Sequence, residues 1–271
     1  MIDRLRATAT DAARGAGGII RRSNSRVLVV DDTPAHDLKL ALDRTCEAEI
    51  LRTIRDAFPD HAILSEEAGY VPGQAAFLWI VDPLDGTVNF YHGIPFFCTS
   101  IACYALGEEA ARDVNCILPD GSVLGDPLVG VVYDPLREEL FVGAAGEGAS
   151  LNQVPLPAPR ASRLDQSVVA LSFGAREESI ACMSRLFPDM VRSARKIRSF
   201  GSTALDIVQV AAGRVGAFVQ MGTNLWDFAA AAVVAREAGA VVDAREYQPG
   251  KWKVIASAAG IYQEINSKAG A

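Results

Sequence analysis

The run Phe77-Leu78-Trp79-Ile80-Val81, followed at once by Asp82-Pro83-Leu84-Asp85-Gly86-Thr87, constrains this chain more than any other stretch. Large apolar residues in succession describe a strand buried on both faces. The spacing predicts that strand over Ala75–Val81, stopping at Asp82. Two carboxylates then stand three residues apart around a proline. At about 4 Å, two such charges repel by roughly 4 kcal/mol at an effective dielectric near 20. A plain polar turn is one reading, since Asp, Pro and Gly are turn residues. The other is a divalent cation, whose preference for hard oxygen ligands relieves the repulsion.

The 271 residues suffice for one large domain or two intimate halves. A net charge of −7 argues against a nucleic-acid polymer as partner. Phosphate can still bind an acidic chain where metal ions supply the positive field. The cysteines (Cys46, Cys98, Cys103, Cys116, Cys182) are odd in number and lack CxxC spacing. That disfavours a disulfide framework or a zinc site and fits a reducing cytoplasm. The first residues mix acids and arginines without a continuous apolar core, so they do not read as a signal peptide. With no apolar run of membrane-spanning length, the expectation is a soluble cytoplasmic protein that does not engage a membrane.

Helical spacing of Leu5, Ala9, Ala12, Ala16 and Ile19 predicts a helix over 3–22, and Leu40, Ala41, Ile50, Leu51 and Ile54 offer the buried side of a second over 38–58. Strands are expected at 62–64 and 95–106, and Gly130–Pro135 with Glu139–Gly143 reads as a hairpin. Residues 152–165 carry three prolines and little periodicity, which places a boundary between halves 1–155 and 156–271. Beyond it, strands at 167–172, 197–200, 215–220, 240–243 and 253–256 alternate with helices at 177–187, 204–212, 226–238 and 260–267. Such alternation implies α/β layering.

Acidic groups cluster at the ends of predicted elements: Glu66-Glu67, Asp82 with Asp85, and Asp227, which opens a helix after Trp226. Backbone amides of Gly86-Thr87 could cradle a phosphate. Gly201-Ser202-Thr203 reads as a helix cap. Read blandly, Glu66-Glu67 is a solvated loop and Asp227 a helix N-terminal acid. His92 lacks a second histidine nearby and suits a structural role, while His36 and His61 offer nothing specific.

Trp79-Ile80-Val81-Asp82-Pro83-Leu84-Asp85-Gly86-Thr87-Val88-Asn89-Phe90, the upstream Ser65-Glu66-Glu67, and the run from Trp226-Asp227 to Val242 together resemble the inositol monophosphatase family of magnesium-dependent, lithium-sensitive sugar phosphatases. The order and spacing agree from the first helix to the last strand. The resemblance implies an α-β-α-β-α sandwich, a homodimer, and two magnesium ions with room for a third. It assigns one ion to Glu66, Asp82 and the Leu84 carbonyl, and a second to Asp82, Asp85 and Asp227. Four carboxylates roughly neutralise two divalent ions. Asp43 would orient a catalytic Thr87, which with Glu66 positions the attacking water, while a water near Asp227 protonates the leaving alkoxide. Asp85, Gly86, Thr87, Gly201, Ser202, Thr203, Gln220 and Asp227 would meet the substrate.

Two departures stand out. Where many relatives carry a glutamate that accepts from substrate hydroxyls, this chain has Gln220, which both accepts and donates. The segment before Asp43 departs from the family pattern, and Asp31-Asp32 stand where an upstream lysine is common, which leaves a third magnesium open. The expected substrate is a small cyclitol or sugar phosphate. Fructose 1,6-bisphosphate, histidinol phosphate or a 3′-phosphoadenosine nucleotide are alternatives, as is a catalytically silent metal- or phosphate-binding regulator.

Overall fold

The computed structural model describes residues 1–24, 41–107 and 116–270. Asp31, Asp32, His36 and the first residues of the predicted second helix lie outside them. Two sheets separate three helical layers. The first has eight strands in the order β2-β1-β3-β4-β5-β6-β7-β8: β1 (Ala62–Ser65), β2 (Gly69–Val71), β3 (Phe77–Asp85), β4 (Cys98–Gly107), β5 (Val123–Asp134), β6 (Glu139–Ala144), β7 (Gly148–Leu151) and β8 (Val154–Pro155). The second runs β10-β9-β11-β13-β12, with β9 (Val168–Phe173), β10 (Lys196–Arg198), β11 (Ala217–Thr223), β12 (Val241–Gln248) and β13 (Lys251–Ser257).

Helices α1 (Ile2–Asn24) and α2 (Ala41–Ala57) cover the outer face of the first sheet, against Trp79, Val81, Ile101 and Val131. The middle layer is α5 (Thr203–Ala211) and α6 (Leu225–Glu237), with α3 (Thr87–Tyr91) a short helix after β3; α4 (Glu177–Ser193) and α7 (Tyr262–Ala269) pack outside the second sheet. This is the α-β-α-β-α sandwich. Helix α6 is apolar on all sides (Phe228 through Ala235 are buried) because both sheets face it. The close approach of α1 to β5 requires Gly17, where a Cβ would sit 2.5 Å from the Tyr133 ring.

Several sequence expectations are corrected. Strand β3 does not stop at Asp82 but runs through Asp85, and its pairing with β4 shifts between Asp82 and Asp85. A bulge of this kind re-aims side chains without ending the strand. In α1, Ile20 rather than Ile19 is fully buried. Ala41 is exposed, because the inward face of α2 runs Asp43, Cys46, Glu47, Ile50 and Ile54 and so carries two acids toward the first sheet. The helix predicted to end at Phe187 continues past Pro188 to Ser193. Ser184 and Pro188 both face solvent, so water can take the carbonyl that the proline leaves unpaired. The hairpin expected from Gly130–Pro135 and Glu139–Gly143 is present, with Asp134 paired to Glu139, but β5 begins seven residues earlier than the apolar pattern indicated. No helix among the described residues is long and apolar enough to cross a membrane.

Candidate active site

Strand β1 ends at Ser65 and releases Glu66 and Glu67 into a turn that α2 shapes. Glu47 accepts a hydrogen bond from the Ser65 hydroxyl and, at 2.9 Å, one from the Ala68 amide. The Glu66 and Asp82 carboxyls lie close enough for each charge to act on the other. Burial, then Asp227 and Asp43, raise the Glu66 pKa; the residue is exposed at the rim, so solvent tempers that repulsion. Asp82 is buried outright. Burial, then Glu66 and Asp85, hold its carboxyl well above the usual carboxylate range.

The bulge turns the motif on itself. Asp82 Oδ1 accepts from the Leu84 amide at 3.1 Å, and the Leu84 carbonyl accepts from the Thr87 hydroxyl at 3.0 Å. Asp43 is buried one helical turn before Glu47, near enough to raise Glu66, Asp82 and Cys46. Gly86 bridges β3 and α3 with φ of 92°, and a Cβ there would lie 2.9 Å from the Phe96 carbonyl oxygen. Only glycine fits that corner.

Asp85 leaves the motif in the opposite direction and docks on the N-terminus of α5. Its Oδ2 accepts from the Ser202 hydroxyl at 2.6 Å and the Ala204 amide at 2.7 Å, and its Oδ1 from the Thr203 amide at 3.3 Å. Burial nevertheless pushes its pKa up to about 7, against the pull of those donors. Asp227, the third residue of α6, accepts from the Thr223 hydroxyl at 2.7 Å and the Asn224 amide at 2.8 Å. Its pKa is raised by burial, with the Lys251 ammonium acting the other way.

Two helices thus aim their positive ends at one acidic cluster. Ser202 and Thr203 are buried rather than open to solvent, and Gly201 is exposed beside them. Thr203 donates to Gln220 Oε1 at 2.7 Å. The sequence reading missed Glu47, Asn89 and Thr223. Asn89 donates to the carbonyls of Phe96 (2.8 Å) and Phe200 (2.7 Å), tying α3 to the chain entering α5. Glu47 had a signal, being four residues after Asp43 on the same helical face.

Among the described residues, no three His, Cys, Asp or Glu side chains already converge as a metal cage. Each carboxylate leans on its own neighbours. The donor set still suits a hard divalent cation: Glu66, Asp82, Asp85 and Asp227 are anionic oxygen donors raised by burial and by one another.

A model described as the inositol monophosphatase family matches residues 1–116 and 122–269. The chain belongs to this family. It is a metal-dependent family of phosphoric monoester hydrolases. The chain is 37% identical to the Nus factor SuhB of Pseudomonas aeruginosa over 239 residues, which covers 85% of this chain and 82% of that protein. It is 35% identical to the inositol-1-monophosphatase of Synechocystis over 268 residues, or 95% of this chain and 86% of that protein. The crystal structure of the extragenic suppressor protein suhB from Bartonella henselae superposes with a TM-score of 0.84 at 30% identity, covering 98% of each chain. That inositol monophosphatase architecture matches the two-sheet sandwich described above.

Proposed function

We propose that this chain hydrolyses a small cyclitol or sugar phosphate monoester with the help of two magnesium ions. The observation that carries the reading is the placement of Glu66, Asp82, Asp85 and Asp227 at the ends of β1 and β3 and the start of α6, where Asp82 feels the charges of the other three and the N-termini of α5 and α6 hold Asp85 and Asp227. Glu66, Asp82 and the Leu84 carbonyl would hold one ion, and Asp82, Asp85 and Asp227 the other. When bound, the ions would supply charge neutralisation, Lewis acidity at the phosphoryl oxygens and acidification of water. A third ion is left open, as is its site.

The chain's own residues supply positioning and proton handling. Glu66, its pKa raised by burial and by Asp227 and Asp43, would accept a proton from the attacking water. The Thr87 hydroxyl, fixed on the Leu84 carbonyl, offers its oxygen lone pairs to orient that water. Amides at Gly86 and Thr87 would meet phosphate oxygens. Asp227 would steer the proton to the departing alkoxide. Asp43 acts at a distance through its charge, and Gly201, Ser202, Thr203 and Gln220 shape the wall around the substrate. Halves 1–155 and 156–271 each contribute ligands, so the site would need both. Five unpaired cysteines support a reducing, cytoplasmic setting. The homodimer is part of the proposal and is read from the mass in solution.

A phosphate-release screen over inositol 1-phosphate, fructose 1,6-bisphosphate, histidinol phosphate and adenosine 3′,5′-bisphosphate, with and without magnesium, tests the reading. Release from at least one, abolished by chelation, is expected. No release from any of them would overturn it. A second reading rests on the name Nus factor SuhB carried by several relatives: that the chain serves as a Nus factor. An Asp85→Asn protein that loses phosphate release yet keeps such a role would separate the two.

A further inference from the structure

The proline-bearing segment before β9 is more than a link. Residues 159–163 and 166–168 form one wall of a cavity of about 320 Å³, and residues 213–216 form the other. A space of that size takes a small molecule. The second wall is the turn from α5 into β11. Arg214 and Val215 give their amides to the Gln209 carbonyl at 3.0 and 3.2 Å. Gly216 gives its own to the Val168 carbonyl at 2.8 Å, which fastens the two walls together. Asp85 docks at the opposite end of α5. That helix has nine residues, so about 13 Å of it separates the cavity from the amides that hold Asp85.

Arg160, Arg163 and Arg214 all line this cavity, and among the described residues no acid does, in a chain whose net charge is −7. The three differ in how far they are engaged. Glu139 accepts from both ends of the Arg214 fork at 2.6 and 2.8 Å, and Gln209 Oε1 accepts a further bond at 3.0 Å. This fixes the guanidinium without using every N–H it has. Arg163 meets Asp165 at 2.6 and 3.0 Å, with Glu264 acting more weakly. That pair is exposed, so it contributes little and can yield to a better acceptor. Arg160 is exposed, and among the described residues neither it nor the adjacent Ser162 and Gln166 has a side-chain hydrogen bond. A concave wall with donors of one sign focuses positive potential. Phosphate oxygens only accept, and the planar guanidinium fork matches them. One phosphate fills one fork; three forks from two segments suit two linked phosphates better.

We propose that Arg160, Arg163 and Arg214 form a binding site for a small molecule carrying a diphosphate group, separate from the acidic cluster. This goes beyond the phosphatase reading and does not rest on it. Arg160 supplies the uncommitted charge, Arg163 exchanges Asp165 for the ligand, and Arg214 is the fixed post.

Calorimetric titration with pyrophosphate tests it, on the full chain freed of divalent cations, at neutral pH and low ionic strength. Without a metal the acidic cluster repels the probe, so binding reports on the basic cavity. One pyrophosphate per chain is expected, held about tenfold more tightly than inorganic phosphate. Arg160→Glu should weaken it about tenfold, and Arg163→Gln about threefold. Arg55→Glu makes the same change of charge on the exposed side of α2, against the other sheet, and should leave the affinity as it is. No binding of pyrophosphate at millimolar concentration overturns the proposal. So does equal weakening by Arg55→Glu and Arg160→Glu, which would reduce the effect to net charge. Equal affinity for phosphate and pyrophosphate overturns the diphosphate class. Native affinity in the Arg160→Glu protein refutes the site, and should that variant not fold, native affinity in the Arg163→Gln protein does the same.

Discussion

Asp85 and Asp227 are each held by a hydroxyl and by helix N-terminal backbone, whereas Glu66 and Asp82 repel each other. Ser202 and two α5 amides bind Asp85; Thr223 and Asn224 bind Asp227. On the other side Glu66 and Asp82 raise each other's pKa, and among the described residues Asp82 accepts from the Leu84 amide two residues on. One side is organised by the fold before any ligand arrives. The other side stores repulsion, and a proton or a cation must relieve it.

The strongest way to break this contrast is to remove a charge from the organised side. Asp85→Asn should keep the α5 cap through its carbonyl oxygen while lowering phosphate release on the order of a thousandfold; retained magnesium-dependent turnover would refute the assignment. Stability against pH sharpens the contrast next. With pKa values raised in the folded protein (Asp85 to about 7), the folded state binds more protons than the unfolded one. Metal-free stability is therefore full below the usual carboxylate range and falls as pH rises through about 7. Thermal unfolding should show a Tm lower by roughly 5 °C at pH 8 than at pH 5, with magnesium restoring more at the higher pH. A flat profile would contradict the stored repulsion.

Smaller effects discriminate the two sides further. Ser202→Ala removes both the N-cap of α5 and a donor to buried Asp85, and should cost about 1–3 kcal/mol in denaturant unfolding. Glu66→Gln should act in the opposite sense and stabilise the metal-free protein above neutral pH. Because Glu66 stands at the exposed rim, screening keeps that gain below about 1 kcal/mol. Equal destabilisation by both variants would erase the distinction.

Much of this was legible in the chain. Continuous apolar residues before Asp82 identified a strand covered on both faces, and Leu78 and Ile80 do face one layer while Trp79 and Val81 face the other. The helix expected at 226–238 is present as α6 (Leu225–Glu237). The course of the Asp-Pro-Leu-Asp segment was not legible, because a bulge depends on the register that β4 imposes. Nor was the helix past Pro188, since local rules cannot report that its turn faces water. Glu47 looked like one of many helical glutamates until β1 brought Ser65 to it.

By itself the sequence determined which oxygen donors are available and that the apolar runs around them must be buried, since hydropathy and carboxylate chemistry are local properties. Tertiary structure decided the division of labour among those donors. Asp85 meets the N-terminus of α5 across 117 to 119 residues of chain, and Gln220 loses its acceptor to Thr203 across 17. Hydrogen bonds between distant segments exist only once the sheets have packed, and they set which carboxylates are anchored and which side-chain oxygens are already taken.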